Sequence, residues 1–386
     1  LPASAITGQS SDWLGEVVNN LELRRYNLNK LGISPGVNEV AEGFRNFQGG
    51  KRTDETVPAS TLDLSLSIHT QELLHLPGGE FYADLEDHEG QNPSTVLVGD
   101  LQVFDKLNFA PYLQIFELWY QQKLFDDTVR IKLGKVDANT EFSVITNGLP
   151  FINASTQVTP TIFMFPTTPD PMPSANVFFT PNQLFYASFG LYDANRGDHF
   201  GDIAGKPYSI QPSRNGALLI GETGLTWNRF PGLQANGDLR LGFWGATGTF
   251  KRFDGATQHG ARGYYIVADQ TLWKPLSSNH ERGLRAFVEY GHTDRGVTPI
   301  YQNIGGGFTW TGLPGRAYDS LGFSPLYARL SPAYGAPHNY ELALEMFYNL
   351  QLAPWVSIQP DLQYIVNPGG QYPDALIGTL RLKLAL

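Results

Sequence analysis

The chain has 386 residues, a formal charge of −10, 41 glycines, 26 prolines and no cysteine. The acidic balance, without a lysine or arginine cluster, excludes a nucleic-acid partner, and the lack of cysteine excludes disulfides, thiolate zinc sites and cysteine nucleophiles. Abundant glycine, proline and aromatic residues favour strands and turns over long helices. The mean hydropathy of −0.23 is compatible with a membrane barrel, whose strands alternate apolar and polar residues and so average near neutral.

In chain order, the clearest strand lies at residues 61–71. Apolar side chains alternate there with polar ones, namely Leu62, Leu64, Leu66 and Ile68 against Asp63, Ser65, Ser67 and His69. Successive side chains of a strand point to opposite faces, so one face of this strand meets an apolar environment and the other an aqueous one. Residues 376–386 repeat the pattern at the C-terminus.

Alternating segments bounded by turn signals predict sixteen strands, with successive strands paired as antiparallel hairpins. The predicted strands are residues 21–31, 60–73, 80–88, 112–123, 127–136, 173–179, 183–193, 216–228, 237–249, 261–273, 284–294, 301–311, 318–330, 339–351, 355–365 and 373–386. The fold class is therefore all-β, a transmembrane antiparallel β-barrel forming one domain over residues 1–386.

Connection lengths support this reading. An even strand number places both termini on one side, which in bacterial single-chain barrels is the periplasm, so residues 1–20 are expected to be a periplasmic segment. The predicted periplasmic turns are tight, at residues 77–79, 125–127 and 180–182. The predicted external loops are long, at residues 32–59, 89–111, 137–172 and 194–215. Short periplasmic turns and long outer loops are typical of outer-membrane barrels.

Aromatic residues are sorted to the two predicted rims, where lipid meets water. The expected periplasmic girdle contains Trp227, Trp273, Trp310 and Trp355, and the expected outer girdle contains Tyr264, Tyr290, Tyr340 and Tyr364. A soluble β-sandwich has no reason to sort its aromatic residues in this way. The girdles therefore favour a bacterial outer-membrane location.

The polar parity of each strand gives the predicted lumen, which mixes both charges with amides and an indole. It contains Glu117, Gln121, Arg130, Lys132, Glu222, Arg240, Trp244, Arg285, Glu289, Glu341, Glu345, Asp361, Gln363, Arg381 and Lys383. A ring of one charge would indicate ion selection, whereas a mixed lining suits a neutral polyhydroxylated solute. For any single residue, simple solvation of a water-filled wall is the more common role.

Residues 137–172 are too long for an ordinary connection. The segment carries Phe151, Phe163 and Phe165 and is stiffened by several prolines. Such an apolar loop is expected to fold into the barrel and set the constriction.

Four segments of the chain resemble the carbohydrate-selective porin family, OprB-like. The most specific is ELALEMFYNLQLAPWVSIQPDLQYIVNPGG at residues 341–370, supported by GDLQVFDKLN at 99–108, FELWYQQKLFDDTVRIKLGKVDANTEF at 116–142 and FINAS at 151–155. The resemblance covers nearly the whole chain. It implies a sixteen-stranded outer-membrane channel for glucose and other small sugars, narrowed by inward-folded loops. It also places Trp119 beside Glu117, Arg130 and Lys132, at or near the sugar path.

Together, the lumen pattern and the resemblance assign twelve residues to the substrate path: Glu117, Trp119, Arg130, Lys132, Glu222, Arg240, Trp244, Arg285, Glu289, Glu345, Asp361 and Gln363. The expected partners are monosaccharides, outer-membrane lipid and lipopolysaccharide, and a homotrimer is one hypothesis for the assembly. No catalytic residue, cofactor or metal is expected.

Two other functions remain open at this point. One is a general or anion-preferring diffusion porin. The other is an outer-membrane enzyme, although the sequence has no Gly-x-Ser-x-Gly elbow and its eight histidines lack metal-ligand spacing. Residues 193–198, DANRGD, match only part of a calcium-loop pattern, and a solvated outer loop is the favoured interpretation.

Overall fold

The computed structural model describes Leu23 and residues 25–194, 201–205, 213–214, 216–228, 236–275 and 282–386. These residues form eighteen strands of one sheet. The strands are β1 Ile33–Gln48, β2 Thr56–His69, β3 Gly79–Gly90, β4 Tyr112–Leu124, β5 Val129–Val136, β6 Met172–Phe179, β7 Phe185–Asp193, β8 Asp202–Gly205, β9 Ser213–Arg214, β10 Ala217–Trp227, β11 Gly237–Lys251, β12 Thr257–Trp273, β13 Gly283–Thr293, β14 Ile300–Leu313, β15 Arg316–Leu330, β16 Tyr340–Ala353, β17 Val356–Val366 and β18 Ala375–Ala385.

Sixteen of the strands in the described residues close into an antiparallel barrel. Each pairs with the next along the chain, β7 pairs directly with β10, and β18 pairs with β1 to close the ring. The two short strands β8 and β9 lie in the connection between β7 and β10, where they pair with β4 and β11. The predicted barrel and its strand number are confirmed.

Helices are short, and apart from residues 25–29 those in the described residues lie between the strands. The helices between strands are an α-helix at Thr70–Leu74, a π-helix at Ser94–Val98 and 3₁₀ turns at Ala138–Thr140, Thr146–Gly148, Ala154–Thr156, Pro332–Tyr334 and Pro368–Gly370. Within the described ranges, no helix has the length and apolar character needed to cross a membrane.

The two faces of the barrel wall differ as the alternation predicts. On β2 and β18 the exposed positions include Leu64, Leu66, Leu380 and Leu382, while Arg381 between the last two is buried. A closed sheet leaves no backbone edge unpaired in lipid, and an apolar outer face matches the hydrocarbon region.

Connection lengths are strongly unequal at the two ends of the barrel. One end has the tight turns 125–128, 314–315 and 354–355, and the other has the long connections 91–111 and 137–171. We call these the short-turn end and the long-loop end. The predicted asymmetry is confirmed for these connections, but the tight turn predicted at 77–79 is wrong, because the connection between β2 and β3 is residues 70–78 and contains a helical turn.

The strand predicted at residues 21–31 is wrong. Residues 25–29 are helical, and the first strand, β1, occupies most of the segment 32–59 that the sequence assigned to an external loop. The true connection between β1 and β2 is residues 49–55.

Packing explains why β1 escapes the alternation rule. Its inner face is mixed, because the buried residues Val40 and Phe44 alternate with the buried residues Glu42 and Asn46, and the Phe44 and Phe104 rings lie 5.8 Å apart, edge to face. Glu39 and Arg45 occupy the opposite parity, on the outer face. Both faces of this strand therefore mix apolar residues with polar or charged ones, so its sequence lacks the regular alternation that predicts a strand.

The predicted N-terminal segment 1–20 lies outside the described residues, as do four of the six residues of the partial calcium-loop pattern at 193–198.

Candidate functional site

A large cavity runs along the inner face of the barrel. Its volume is about 1440 Å³, and its lining includes Pro354 and Trp355 at the short-turn end and Asn92 and Thr298 at the long-loop end. A cavity bordered by residues from both ends has the extent that a solute needs to traverse the barrel.

One side of the cavity is the wall formed by the strands around β1. The polar side chains of this wall that border the cavity are Asn38, Thr61, Asp63, Glu86, Asn349, Gln351, Ser357, Gln359, Arg381 and Lys383. Cross-strand register places Asn38 opposite Asp63, and Asp63 opposite Glu86. The wall therefore offers donors and acceptors in several directions.

The other side is formed by two connections, residues 91–111 and the segment 137–172. Side chains from both border the cavity, among them Lys106, Asn139 and Gln157.

Buried carboxylates of the wall hold the segment 137–172 by its backbone. Glu117 accepts a hydrogen bond from Asp137 N at 2.8 Å, and Glu222 accepts one from Ser143 N at 2.9 Å. The remaining contacts of this kind are Asp269 with Thr146 N at 3.0 Å and Asn147 N at 2.8 Å, and Glu345 with Ile152 N at 2.6 Å and Asn153 N at 3.3 Å. These hydrogen bonds give backbone N–H groups of the segment their acceptors, so strands β4, β10, β12 and β16 fix the path of the segment.

Aromatic packing supports the same placement. Phe151 is fully buried, with its ring 4.9 Å from Phe347 and 5.9 Å from Phe287. Phe163 lies edge to face with Trp244, with ring centroids 5.5 Å apart. The apolar residues that marked this loop in the sequence therefore contact the polar-parity face of the wall.

A second connection is held in a similar way. Glu341 accepts hydrogen bonds from Leu101 N at 2.9 Å, Gln102 N at 2.8 Å and Gly369 N at 2.6 Å. Gln363 donates to Phe104 O at 2.7 Å and accepts from the Asn153 side chain at 3.1 Å. Gln363 thus joins the two connections.

The predicted path residues on β4 and β5 form one cluster around Glu141. Arg130 donates to both Glu141 oxygens at 3.0 and 2.6 Å, and Lys132 Nζ lies 2.5 Å from Glu141 Oε1. Lys132 Nζ also lies 3.7 Å from the Trp119 ring centroid. Glu117 lies on the same strand as Trp119, bound to Asp137 N as above.

The charge of Glu141 follows from this setting. Burial disfavours its ionised form, but the hydrogen bonds and positive charges of Arg130 and Lys132 outweigh burial and hold the pKa of this carboxyl below its ordinary value of 4.5. Glu141 therefore stays ionised at neutral pH and clamps the start of the segment to β5.

The predicted residues on β10 and β11 also contact the segment. Glu222 accepts from the Tyr186 and Tyr265 hydroxyls at 2.7 and 2.6 Å in addition to Ser143 N. Arg240 donates to Val144 O and pairs with Asp238 at 2.7 Å. Trp244 packs on Phe163 as described.

The remaining predicted residues lie on β13, β16 and β17. Glu345 binds the segment, and Asp361 accepts from Gln363 Nε2 at 3.4 Å. Glu289 is buried beside Asn303, and Arg285 is half-buried near the short-turn end of β13.

All twelve predicted residues are inside the described ranges, and none of them borders the 1440 Å³ cavity. Eight instead contact the segment 137–172, namely Glu117, Arg130, Lys132, Glu222, Arg240, Trp244, Glu345 and, through the Asn153 side chain, Gln363. Their role in a solute path stays a prediction. Of the predicted lumen residues, Arg381 and Lys383 do border the cavity, whereas Asn38 and Asp63 were missed. Asp63 belongs to the polar side of the alternating pattern at residues 61–71, so the sequence pattern could have placed it in the lumen.

A closed sixteen-stranded barrel with an apolar outer face and a polar cavity extending between its ends defines a β-barrel channel protein. The sequence pattern of the carbohydrate-selective porin, OprB family, matches residues 55–386. The chain belongs to this family and is a sugar-selective porin, integral to the bacterial outer membrane. Family and fold indicate a channel rather than an enzyme.

Relatives of known sequence or structure agree with the fold. The chain is 22% identical to Porin B of Pseudomonas aeruginosa over 415 residues, covering 93% of this chain and 89% of that protein. The high pH structure of Pseudomonas putida OprB has a TM-score of 0.83 at 18% identity, covering 95% of this chain and 97% of that one. The outer membrane channel DcaP of Acinetobacter baumannii has a TM-score of 0.55 at 7% identity, covering 92% and 97%.

Proposed function

We propose that monosaccharides such as glucose diffuse through the 1440 Å³ cavity, and that the segment 137–172 lies in the bore and sets its narrowest part. The observation that carries this proposal is the lining, which includes residues from both ends of the barrel. The hydrogen bonds from carboxylates of β4, β10, β12 and β16 to the segment support its position, because they come from strands distributed around the ring.

The lining suits a neutral sugar. Asn38, Gln359 and Asn349 on the wall and Asn139 and Gln157 on the segment border the cavity with amide groups, each of which both donates and accepts. A sugar hydroxyl can exchange its water partners for these groups at little net change in free energy. Binding that is weak at several sites allows the solute to leave as readily as it enters.

The test is planar-bilayer conductance with glucose added to one or both sides. We expect glucose to reduce the open-channel current of the native protein and to raise its noise. Ala154 borders the cavity from the segment, so Ala154→Trp should lower both conductance and glucose flux. The control is Ala83→Trp on β3, which lies on the outer face between the exposed residues Leu66 and Leu118 of the neighbouring strands.

If glucose leaves the native current and noise unchanged, the proposed sugar path fails. If Ala154→Trp conducts and transports glucose like the native protein, the path lies elsewhere. The twelve predicted residues then become the next route to test, beginning with Arg130→Ala, which should alter glucose block if Arg130 lines the path.

The outer surface indicates the other partners. Exposed apolar side chains on the outer face, such as Leu118, Phe189, Val288 and Leu380, fit contact with membrane lipid, and lipopolysaccharide is the lipid expected at the long-loop end. A homotrimer remains a hypothesis that native mass spectrometry of the detergent-solubilised protein can test.

A further inference from the structure

The cavity has a basic region on one wall. Its three basic lining residues in the described chain are Lys106 on the connection 91–111, and Arg381 and Lys383 on β18. We name these three the basic cluster. Arg381 and Lys383 are two apart on one strand and therefore point to the same face of the sheet.

The acidic partners of the basic cluster lie behind it. Arg381 pairs with Glu42 across the β1–β18 ladder, and its Nη2 lies 4.0 Å from Asp105 Oδ2. The side chains of Glu42 and Asp105 are fully buried, and neither borders the cavity. The cavity surface at this point therefore presents positive groups while the compensating negative charges are covered.

The basic cluster is not fully paired with carboxylates. Arg381 is 6% exposed, and its buried Nη2 has no hydrogen-bond partner. Neither Lys106 nor Lys383 has a carboxylate within 4.0 Å in the described part of the chain. Burial, followed by the positive charges of Arg381 and Lys383, lowers the pKa of Lys106 to about 8, so three cations share this region at neutral pH with Lys106 largely protonated.

The acidic residues across the wall already have partners. Asp63 accepts a hydrogen bond from Asn38 Nδ2 at 2.8 Å, and Glu86 accepts one from the Tyr112 hydroxyl. These groups lie on β2 and β3, away from β18 but on the same cavity. The cavity thus has a basic side and a side of carboxylates, amides and hydroxyls.

We propose that the basic cluster is a binding subsite for the anionic group of an acidic monosaccharide, a sugar that carries one carboxylate or phosphate. The anionic group pairs with Lys106, Arg381 and Lys383, while the hydroxyls of the same sugar reach Gln359 and Ser357, which stand opposite Arg381 and Lys383 on β17. This inference rests on the proposed sugar path through the cavity and adds a preferred class of solute to it.

Single-channel block in planar bilayers tests the inference with four probes: glucose, glucuronate, glucose 6-phosphate and acetate. We expect glucuronate or glucose 6-phosphate to block the native channel at a concentration roughly tenfold lower than glucose at low salt, an advantage that shrinks as ionic strength rises. Comparison of these two probes tells whether the subsite favours a carboxylate or a phosphate. Acetate should block far more weakly, because it lacks the hydroxyls.

Variants assign the effect to the basic cluster. In Lys106→Gln, Lys383→Gln and their combination, the ratio of the blocking concentration of glucose to that of each acidic sugar should fall from roughly ten towards one. Lys383→Arg keeps the charge and should keep the advantage. Lys251→Gln is the control, since Lys251 is exposed at the end of β11 and does not border the cavity.

The outcomes separate this inference from the proposed function. If glucose itself has no effect on the current, the sugar path fails. If glucose blocks the channel but neither acidic sugar blocks it better, or if acetate blocks as well as they do, only the subsite is refuted. An unchanged advantage in the double variant also refutes it.

Discussion

Glu345 is the deepest anchor of the segment 137–172, and its replacement by Gln should loosen that segment. The Glu345 carboxylate is fully buried and accepts hydrogen bonds from Ile152 N at 2.6 Å and Asn153 N at 3.3 Å. In Glu345→Gln one of the two accepting oxygens becomes an NH₂ group. That NH₂ group is a donor, so it cannot accept a hydrogen bond from the backbone N–H that it faces. Whichever way the amide turns, one buried backbone N–H loses its acceptor, which costs about 1–3 kcal/mol.

A loss of about 2 kcal/mol corresponds to a roughly 30-fold increase in the population of the detached segment, because each 1.4 kcal/mol is tenfold. The other anchors, Glu117, Glu222 and Asp269, remain, so we expect local opening of the segment without unfolding of the barrel. Single-channel recording should show higher open-channel noise and brief excursions to a larger conductance. Limited proteolysis should show faster cleavage within residues 137–172.

The matched control is Glu89→Gln, which makes the same chemical change at an exposed position on β3. It should leave noise and proteolysis unchanged. If the open-channel noise, the conductance and the rate of proteolysis of Glu345→Gln match those of the native channel, the carboxylate contacts do not restrain the segment. That result would refute the reasoning.

Three further predictions concern Glu141, Phe151 and Lys106. The folded-state pKa of Glu141 is lowered, so its ion pair with Arg130 is present above about pH 4.5 and is lost as the pH falls through the lower folded-state value. The open-channel noise of the native protein should therefore rise only below pH 4.5. Glu141→Gln should show raised noise already at pH 7, and recordings from this variant without raised noise would contradict the role of this ion pair. Phe151→Ala removes a fully buried ring packed on Phe347 and should lower the free energy of unfolding by about 3–5 kcal/mol. The melting temperature in detergent should fall accordingly, and an unchanged melting temperature would contradict this packing. Block of the native channel by glucuronate should weaken between pH 7 and 9, because Lys106 loses its proton over that range. In Lys106→Arg the block should stay constant, because arginine remains charged. A native block that does not change with pH would exclude Lys106 from the subsite.

Strand positions were predictable wherever the two faces of a strand meet different solvents. β18 illustrates this, because its outward residues Leu380 and Leu382 are exposed and Arg381 between them is buried. β1 was missed because Phe104 packs on its inner face and removes the contrast between faces. The alternation of apolar and polar residues reflects the polarity of the two environments of a strand. It therefore fails to predict a strand whose inner face packs against protein and not against water.

The same limit applies to the site. Strand parity correctly assigns Glu345 and Arg381 to the inner face, but it gives no information about what lies in front of each side chain. In the structure, backbone amides of the segment 137–172 contact Glu345, whereas Arg381 borders the cavity. The difference depends on where a long connection lies against the wall, and hence on contacts between residues such as Glu345 and Ile152 that are far apart in sequence.

Those contacts also explain why so many buried carboxylates lie on the wall of a sugar channel. A backbone that packs against a barrel wall without strand pairing has unsatisfied N–H groups, and each would cost free energy if left without a partner. Glu117, Glu222, Asp269 and Glu345 supply those partners at intervals along the segment. A charged inner wall is therefore ambiguous from sequence alone, because the carboxylates that hold a long connection and the groups that border a cavity share the same wall and the same parity.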